Sequence, residues 1–208
     1  MKIVCIIPAR GGSKRIINKN MCTVGGVPLI NRLLMSAHSC TLVDEIYVST
    51  DDEKIKDAAS NYAKVLDRPI ELTGDFTTSE EVILYHLEND LSHLQDNTIV
   101  LFLQCTSPFT ETRDIEKLVY KITKEGYDTS TFYKLDRFRV LDKKSSIYLK
   151  IITFSRQVGN GWAFKKGDFI KERTRLYGNI GLIYVDSLKS LEIDNQLDLQ
   201  IANSIYSK

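Results

Sequence analysis

The stretch Lys2–Asn20, "KIVCIIPARGGSKRIINKN", decides the fold because it joins an apolar strand to a strongly charged loop. Its first part, Lys2–Pro8, is short, β-branched and almost wholly apolar, which is typical of a strand covered on both faces of a parallel sheet. Ligands of such sheets bind beyond the carboxyl ends of the strands. The loop after Pro8 is therefore predicted to form a binding site.

The chemistry of this loop favours an anion. Arg10 offers a planar fork that suits phosphate, and Lys14 and Lys19 offer point charges. Gly11 and Gly12 let the backbone approach a ligand and present N–H groups to phosphate oxygens. The spacing matches neither GxxxxGK[ST] nor GxGxxG, so the loop is neither a standard P-loop nor a dinucleotide fingerprint. The loop suits a polyphosphate, and the alternative is a solvated basic turn.

Composition limits the classes of protein that this chain can represent. Its 208 residues suit a single domain, and a net charge of +1 argues against a nucleic-acid binder that depends on bulk charge. The four cysteines form no CxxC pair, the opening apolar run is too short for a signal peptide, and no run suits a membrane span. We expect a soluble, reduced, cytoplasmic protein with no membrane or nucleic-acid partner.

Strand-like and helical patterns alternate from residue 2 to about 134, which predicts a doubly wound, mostly parallel α/β sheet. The clearest strand is Thr98–Leu103. From about 135 to 177 the chain is rich in charged and aromatic residues without this rhythm. We interpret that segment as an excursion inserted into the single domain 1–208, with a β-arm for dimerisation as one hypothesis. The segment 178–188, "GNIGLIYVDSL", returns to a buried-strand pattern, and an acidic turn and a helix end the chain.

Six segments occur in an order that resembles one enzyme family: "IPARGGSKRIINKN", "GGVPLI", "DEIYVSTDD", "DRPIEL", "LFLQCTSPF" and "EIDNQLDLQIA". The family is that of the CMP-ulosonic acid cytidylyltransferases, the N-acylneuraminate type being the best known. The resemblance runs from Ile3 to Ala202 and is weak between about 135 and 177. It implies a Rossmann-like nucleotidyltransferase that transfers CMP from CTP to the anomeric hydroxyl of an acidic sugar and releases pyrophosphate. It also implies a homodimer.

The resemblance implies a CTP site at the opening loop and in the segment 68–79. Arg10, Lys19 and Gln104 are implied to be catalytic. Arg15 and Ile17 depart from the glycine and proline usual in the family, and Arg15 is either an exposed charge or an additional phosphate contact. Thr78 and Ser79 are also candidates for capping a helix. The residues implied to bind the nucleotide are Ala9, Arg10, Gly11, Gly12, Ser13, Lys14, Lys19, Asn20, Arg68, Thr78 and Ser79.

A sugar site and a metal site complete the implied machinery. Glu192 and Asp194 lie two apart, so they share one side of an extended segment. Two carboxylates with phosphate oxygens and waters are a usual environment for Mg²⁺, which is the implied cofactor. Asp194 as a helix N-cap is the alternative. The residues assigned to the sugar are Gln104, Thr106, Ser107, Arg175, Asn179 and Gly181, with Arg173 or Arg156 as alternatives for its carboxylate.

Other reactive side chains have simpler interpretations. Cys105 follows the strongest strand, but no histidine takes a recognisable partner position, so we do not expect it to be a nucleophile. The three histidines, His38, His86 and His93, are interpreted as structural or surface residues. Three functional alternatives stay open: transfer to another acid (3-deoxy-manno-octulosonate or a phosphonate), a non-catalytic nucleotide-binding protein, and a dehydrogenase, which the missing glycine fingerprint disfavours.

Overall fold

A computed structural model describes residues 1–141 and 148–206 of the chain. The strands form a seven-stranded sheet and a separate two-stranded hairpin. The hairpin consists of β2 (Thr23–Val24) and β3 (Val27–Pro28). The strands of the large sheet are β1 (Ile3–Pro8), β4 (Glu45–Thr50), β5 (Lys64–Asp67), β6 (Ile99–Leu103), β7 (Thr129–Leu141), β8 (Tyr148–Lys165) and β9 (Ile180–Tyr184).

The described ranges contain six α-helices and two short 3₁₀ turns, at Lys19–Met21 and Ile70–Leu72. None of the helices within these ranges is long and apolar enough to cross a membrane. The helices are α1 (Leu29–His38), α2 (Glu53–Ala59), α3 (Ser79–Glu88), α4 (Thr112–Thr123), α5 (Lys166–Glu172) and α6 (Gln196–Ser204).

The large sheet confirms the predicted doubly wound, mostly parallel α/β fold. Its strand order is β5-β4-β1-β6-β8-β7-β9, and β8 is the one strand of the described sheet that runs antiparallel to its neighbours. β1 pairs in parallel with both β4 and β6, which places it inside the sheet. The apolar character of Lys2–Pro8 follows from this position, because both faces of an interior strand are covered.

Helices cover both faces of the sheet and produce two hydrophobic cores. On one face, Cys5 and Leu101 pack with residues of α1, α2, α4 and α6. On the other face, Ile6 and Phe102 pack with residues of α3 and α5. Successive strand residues thus alternate between two buried layers, and the loops at the strand ends are left to form the site.

The segment predicted as an inserted excursion contributes both to a long β-hairpin and to the central sheet, which the sequence pattern did not indicate. β7 and β8 pair as a long antiparallel hairpin, with Lys134 opposite Arg156, while residues 161–165 of β8 pair with β6 inside the central sheet. A two-stranded arm, formed by residues 134–141 and 148–156, therefore projects beyond the sheet. Whether this arm serves dimerisation stays a prediction, and the segment 142–147 at its centre lies outside the described residues.

The segment 178–188, predicted from its buried-strand pattern, contains the strand β9, but only alternate residues of that strand are buried. β9 is one of the two edge strands of the described sheet, and its residues alternate between exposed and buried. Leu182 and Tyr184 are 49% and 55% exposed. An apolar run cannot by itself distinguish an interior strand from an edge strand that keeps one apolar face uncovered.

Candidate active site

A cavity of about 300 Å³ opens at the carboxyl ends of β1 and β6. Parallel strands bring their carboxyl ends to the same edge of the sheet, so loops distant in sequence meet there. The cavity is lined by Pro8, Arg10, Ser13, Lys19, Asn20, Arg68, Thr77, Thr78, Ser79, Val82, Phe102, Gln104, Cys105, Thr106, Glu192 and Asp194.

The loop after β1 is held against the end of β4. The Gly11 N–H donates to Asp51 Oδ1 at 2.9 Å, and the Asn20 side-chain amide donates to the Arg10 carbonyl at 3.0 Å. A Cβ atom at Gly11 would lie 2.6 Å from Asp52 Oδ2, so only glycine fits this contact. Asp52 also caps α2, which fixes the position of its carboxylate. The loop is therefore positioned before any ligand binds.

Asp75 contacts two of the cations that the sequence assigns to a triphosphate. Arg10 Nη1 donates to the carbonyls of Thr73 and Gly74 at 2.9 and 2.8 Å, and its Nη2 lies 3.3 Å from Asp75 Oδ1. The Lys14 ammonium forms an ion pair with the same carboxylate. Lys14, and then Arg10, hold the pKa of Asp75 below its usual value. An anion of the protein itself thus engages these two cations.

Arg68 is a buried cation at the β5 side of the cavity. Its side chain donates from Nε to Ser49 Oγ and from Nη2 to the Ser49 carbonyl, both at 3.2 Å. Burial lowers its pKa to about 10, which leaves the guanidinium charged at neutral pH. A fixed, desolvated positive charge interacts with an anionic ligand more strongly than an exposed one.

The helix-capping interpretation holds for Thr78. Its hydroxyl accepts from the Glu81 N–H at 3.2 Å, and its own N–H donates to Glu81 Oε2 at 2.6 Å, which completes a capping box on α3. Thr78 and Ser79 both line the cavity, so the start of α3 faces the ligand space. The N-terminal end of a helix carries partial positive charge and favours negative ligand groups.

The metal candidate lies beside a lysine. Lys19 Nζ donates to the Ile193 carbonyl at 3.0 Å and lies 3.5 Å from Asp194 Oδ1. Arg15 lies 3.6 Å from the same oxygen, although its side chain is 72% exposed. The alternative that Asp194 caps α6 is wrong, because the side chain of Asn195 accepts the helix N–H groups. Asp194 is thus left to face the cavity.

Glu192 and Gln104 converge next to β8. Glu192 Oε1 accepts from the Gly159 N–H at 2.7 Å. A Cβ atom at Gly159 would lie 2.6 Å from Glu192 Oε2 and 2.9 Å from Gln104 Oε1. The Ile193 N–H donates to the Thr106 carbonyl at 2.7 Å, which ties the segment 192–194 to the loop after β6. The glycine therefore provides the space in which the carboxylate and the amide lie side by side.

The carboxylates of Asp194 and Glu192 could bind Mg²⁺ only together with further oxygen ligands, such as waters and substrate phosphates. Within the described part of the chain, no cluster of three or more His, Cys, Asp or Glu side chains could hold a metal ion by itself. Mg²⁺ is commonly bound through one or two carboxylates, several waters and substrate phosphates. Asp194 is half-exposed at the cavity and can supply the first carboxylate, while Glu192 has one oxygen left after its bond to Gly159.

Several residues assigned from the sequence do not line the cavity. Ala9 and Ser107 are buried beside it, and the Ser107 hydroxyl has no hydrogen-bond partner among the described residues. Asn179 and Gly181 lie at the amino end of β9, at the opposite edge of the sheet, where Ile180 is paired with Thr129. A single copy of the described chain does not bring them to the cavity. The other assigned residues outside its lining are Gly11, Gly12, Lys14 and Arg175.

Arg175 packs behind the cavity. Its guanidinium lies 3.9 Å from the centre of the Trp162 ring, and its Nε forms an ion pair with Glu80 at 3.0 Å. Trp162 is stacked on Phe102, which lines the cavity. Arg175 thus contacts the wall of the cavity, and its assignment to the sugar stays a prediction.

Cys105 lines the cavity but has the wrong chemistry for a nucleophile. It is buried, and burial raises the pKa of its thiol to about 12. A thiol with such a pKa is protonated at neutral pH, whereas the thiolate is the reactive form. Sequence reasoning missed three nearby residues with tertiary contacts at the site: Asp75, Gly159 and Ser49. Only the polar loop around Asp75 carried any signal, as a charged residue within a turn.

Comparisons with known proteins match the chain to one family. A family model described as "Cytidylyltransferase" matches residues 4–155. A pseudaminic acid cytidylyltransferase of Campylobacter jejuni is 33% identical over 72% of this chain and 67% of the relative. An N-acylneuraminate cytidylyltransferase of Escherichia coli is 30% identical over 100% of this chain, which spans only 52% of that relative. The chain thus spans between about half and two thirds of these relatives.

A solved structure shows the same fold. It is titled as a CMP:2-keto-3-deoxy-manno-octonic acid synthetase complexed with CTP, and it superposes with a TM-score of 0.72 over 99% of this chain and 98% of that one. The two sequences are 18% identical. At this identity the likeness concerns the fold, since one fold hosts many functions.

Proposed function

This chain belongs to the cytidylyltransferase family, and from that premise we propose that it transfers CMP from CTP to the anomeric hydroxyl of an acidic ulosonic sugar. A bond forms between the sugar oxygen and the α-phosphorus, the α–β phosphoanhydride bond breaks, and pyrophosphate leaves while the hydroxyl loses its proton. One observation carries the proposal: a single cavity brings together the cations Arg10, Lys19 and Arg68, the amide of Gln104 and the carboxylate of Asp194.

Positioning and charge account for the catalysis in this proposal. Phosphoryl transfer needs little covalent help from the protein, and fixed cations that meet developing negative charge lower the barrier. Arg10, Lys14 and Lys19 would contact the triphosphate and stabilise the leaving pyrophosphate. Lys19 suits this role because its side chain is only 15% exposed and is held by the Ile193 carbonyl.

The cytidine of CTP and the sugar would lie against different walls of the cavity. Arg68 and the start of α3, with Thr78 and Ser79, would face the cytidine end. Gln104 and Thr106 would face the sugar, beside the base of the β7–β8 arm. The proposed homodimer would add residues of a second copy to the sugar wall, and Asn179 and Gly181, at the amino end of β9, would have to come from that copy.

Mg²⁺ is part of the proposal through Asp194 and Glu192. When bound, the metal would neutralise charge on the phosphate oxygens. The protein's own contribution is to hold Asp194 beside Lys19, so that one carboxylate and one ammonium face the same phosphates. Arg15 is exposed, and we assign it a peripheral electrostatic role.

The choice of sugar rests on the relatives and is the least constrained part of the proposal. We favour a nine-carbon sugar of the sialic acid type, including pseudaminic and legionaminic forms, because the relatives named above act on sugars of this group. Transfer to 3-deoxy-manno-octulosonate or to a phosphonate is the second candidate, which the short segment 135–177 and the altered "GNIG" at 178–181 keep open.

The test is pyrophosphate release with CTP and Mg²⁺ against four sugars: N-acetylneuraminate, legionaminate, pseudaminate and 3-deoxy-manno-octulosonate. We expect turnover with one of the nine-carbon sugars, and omission of the sugar is the control for CTP hydrolysis. Turnover with 3-deoxy-manno-octulosonate alone would select the second candidate. If the protein binds CTP but releases no pyrophosphate with any of the sugars, the result would contradict the proposed reaction and favour a non-catalytic nucleotide-binding protein.

A further inference from the structure

A buried chain of hydrogen bonds runs from α3 to the cavity. His86 on α3 is fully buried. Its Nδ1 lies 2.6 Å from Asp90 Oδ2, and its Nε2 lies 2.7 Å from Ser49 Oγ at the end of β4. Ser49 Oγ in turn accepts from Arg68 Nε at 3.2 Å. Four residues from three segments of the chain thus form one connected network, and its last member, Arg68, lines the cavity.

The direction of each hydrogen bond follows from the chemistry of the groups. The ionised carboxylate of Asp90 can only accept, so Nδ1 of His86 carries a proton. Burial lowers the pKa of His86, so the ring is neutral and Nε2 is an acceptor at neutral pH. Ser49 therefore donates its hydroxyl proton to His86, and its lone pair accepts the Arg68 N–H. The directions of these hydrogen bonds are mutually consistent.

Ser49 holds Arg68 by two different groups. Its hydroxyl accepts from Arg68 Nε, and its carbonyl accepts from Arg68 Nη2. Both hydrogen bonds therefore hold the same edge of the guanidinium. The orientation of that hydroxyl depends on the acceptor behind it, which is His86. Without this acceptor the Ser49 proton has to turn elsewhere, and the lone pair that faces Arg68 turns with it.

We propose that His86 is a positioning residue for nucleotide binding: together with Asp90 and Ser49 it fixes the guanidinium of Arg68 in the orientation that meets the nucleotide. The inference rests on the proposed function, because it takes CTP as the ligand. It goes beyond that function by giving a role to a histidine that sequence reasoning assigned to structure or surface. His86 does not line the cavity, so it acts through Arg68 and not on the substrate.

A purely structural role for His86 leads to a different prediction. Replacing His86 would then lower the stability of α3 and leave the CTP affinity of the folded protein unchanged. The positioning role predicts a loss of CTP affinity that depends on the acceptor atom at the position of Nε2. It also predicts that the loss is specific to ligands that reach Arg68, since the hydrogen bonds of Arg10 and Lys19 go to the carbonyls of Thr73 and Ile193 and not to the network.

The experiment measures the dissociation constants of CTP and of inorganic pyrophosphate for folded protein. For His86→Leu and Ser49→Ala we expect CTP to bind about 10- to 100-fold more weakly, the range expected for the loss of one hydrogen bond at a charged group. Pyrophosphate should bind within about twofold of the wild type. His86→Gln should restore most of the CTP affinity, because its amide oxygen can take the place of Nε2.

Asn89→Ala is the matched control, since Asn89 bonds to the Tyr85 carbonyl at the same end of α3 and does not contact the network. It should lower thermal stability without changing CTP affinity. Ser49→Ala removes little volume and keeps the test available if His86→Leu does not fold. Wild-type affinity for CTP in both Ser49→Ala and His86→Leu would overturn this inference but would leave the proposed function standing. Failure of the wild type to bind CTP would instead overturn the proposed function, and the inference with it.

Discussion

Asp75 places a carboxylate between two cations that we assign to the triphosphate of CTP. Arg10 and Lys14 both contact it, and Arg10 also donates to the neighbouring carbonyls of Thr73 and Gly74. An incoming triphosphate has to replace these contacts. Two cations close together in a ligand-free site repel each other, and an internal carboxylate reduces that repulsion. Asp75 thus stabilises the loop through contacts within the protein and would compete with a bound triphosphate.

We predict that Asp75→Asn binds CTP more tightly, by about two- to fivefold, because it removes a competing anion from the partly exposed Arg10 and the exposed Lys14. The folded-state pKa of Asp75 is lowered, so its carboxylate is ionised above the ordinary carboxyl pKa and loses its charge only as the pH falls through the depressed value. The effect should therefore be constant across neutral pH. The measurement is a CTP titration at pH 7 and 8.

Asp57→Asn, at an exposed position on α2, is the control for the change in net charge. Equal gains in both variants would mean that the whole protein's charge, and not the contact with Arg10 and Lys14, is responsible. Weaker binding by Asp75→Asn would contradict the competition and would indicate that Asp75 helps to order the loop around the ligand.

Asp194 and Glu192 make distinct predictions for the metal. Asp194→Asn should raise the Mg²⁺ concentration needed for half-maximal turnover by at least about tenfold, because a neutral amide is a poor Mg²⁺ ligand. Glu192→Gln should produce a smaller shift, since one of its oxygens is already engaged by the Gly159 N–H. A magnesium titration of the turnover rate checks both. An unchanged titration for Asp194→Asn would place the metal elsewhere.

At the scale of elements, β8 connects the arm to the cavity through Gly159. The strand enters the central sheet beside β6, and its glycine leaves room for two functional side chains from other elements. The position of the arm and that of Gln104 and Glu192 are therefore linked by one strand. A shift of β8 along its axis would move both.

We predict that Gly159→Ala lowers turnover by about tenfold or more while the protein stays folded, because misplacing reacting groups by an ångström is costly. The added Cβ atom would lie 2.6 Å from Glu192 Oε2 and 2.9 Å from Gln104 Oε1, so both side chains have to move. Turnover and thermal melting are measured on the same preparation. The double variant Gly159→Ala with Glu192→Asp should recover part of the rate, since the shorter carboxylate makes room. Full activity of the single variant would show that these side chains can move without consequence.

At the scale of the whole molecule, the arm and the sheet edge leave apolar surface uncovered. Leu135 on β7 and Phe154 on β8 are 45% and 44% exposed, and Leu182 and Tyr184 on the edge strand are about half-exposed. The β7–β9 pairing places the edge strand beside the base of the arm. Surfaces of this kind are typical of interfaces, and the proposed homodimer would cover them.

We predict that replacing residues 136–154 by Asn-Gly yields a monomer that still binds CTP but transfers CMP poorly. Leu135 is paired with Ser155, so a two-residue turn can close the shortened hairpin at this point. The nucleotide cavity lies on the main sheet and should survive the deletion. Light scattering gives the mass, and a CTP titration checks the cavity. A dimer that persists without the arm would contradict its role in assembly.

The sequence alone determined most of the local elements and most of the polar residues that line the cavity. β1 and β6 could be predicted because strands buried on both faces are continuously apolar. The loop after β1 could be predicted as a binding loop because its glycines and cations are adjacent in sequence. The edge position of β9, the antiparallel course of β8, the contact of Asp75 with Arg10 and the network of His86, Ser49 and Arg68 were decided only by the tertiary structure. Periodicity reports which neighbouring residues share a face, whereas these contacts join segments tens of residues apart, whose meeting depends on strand order and packing.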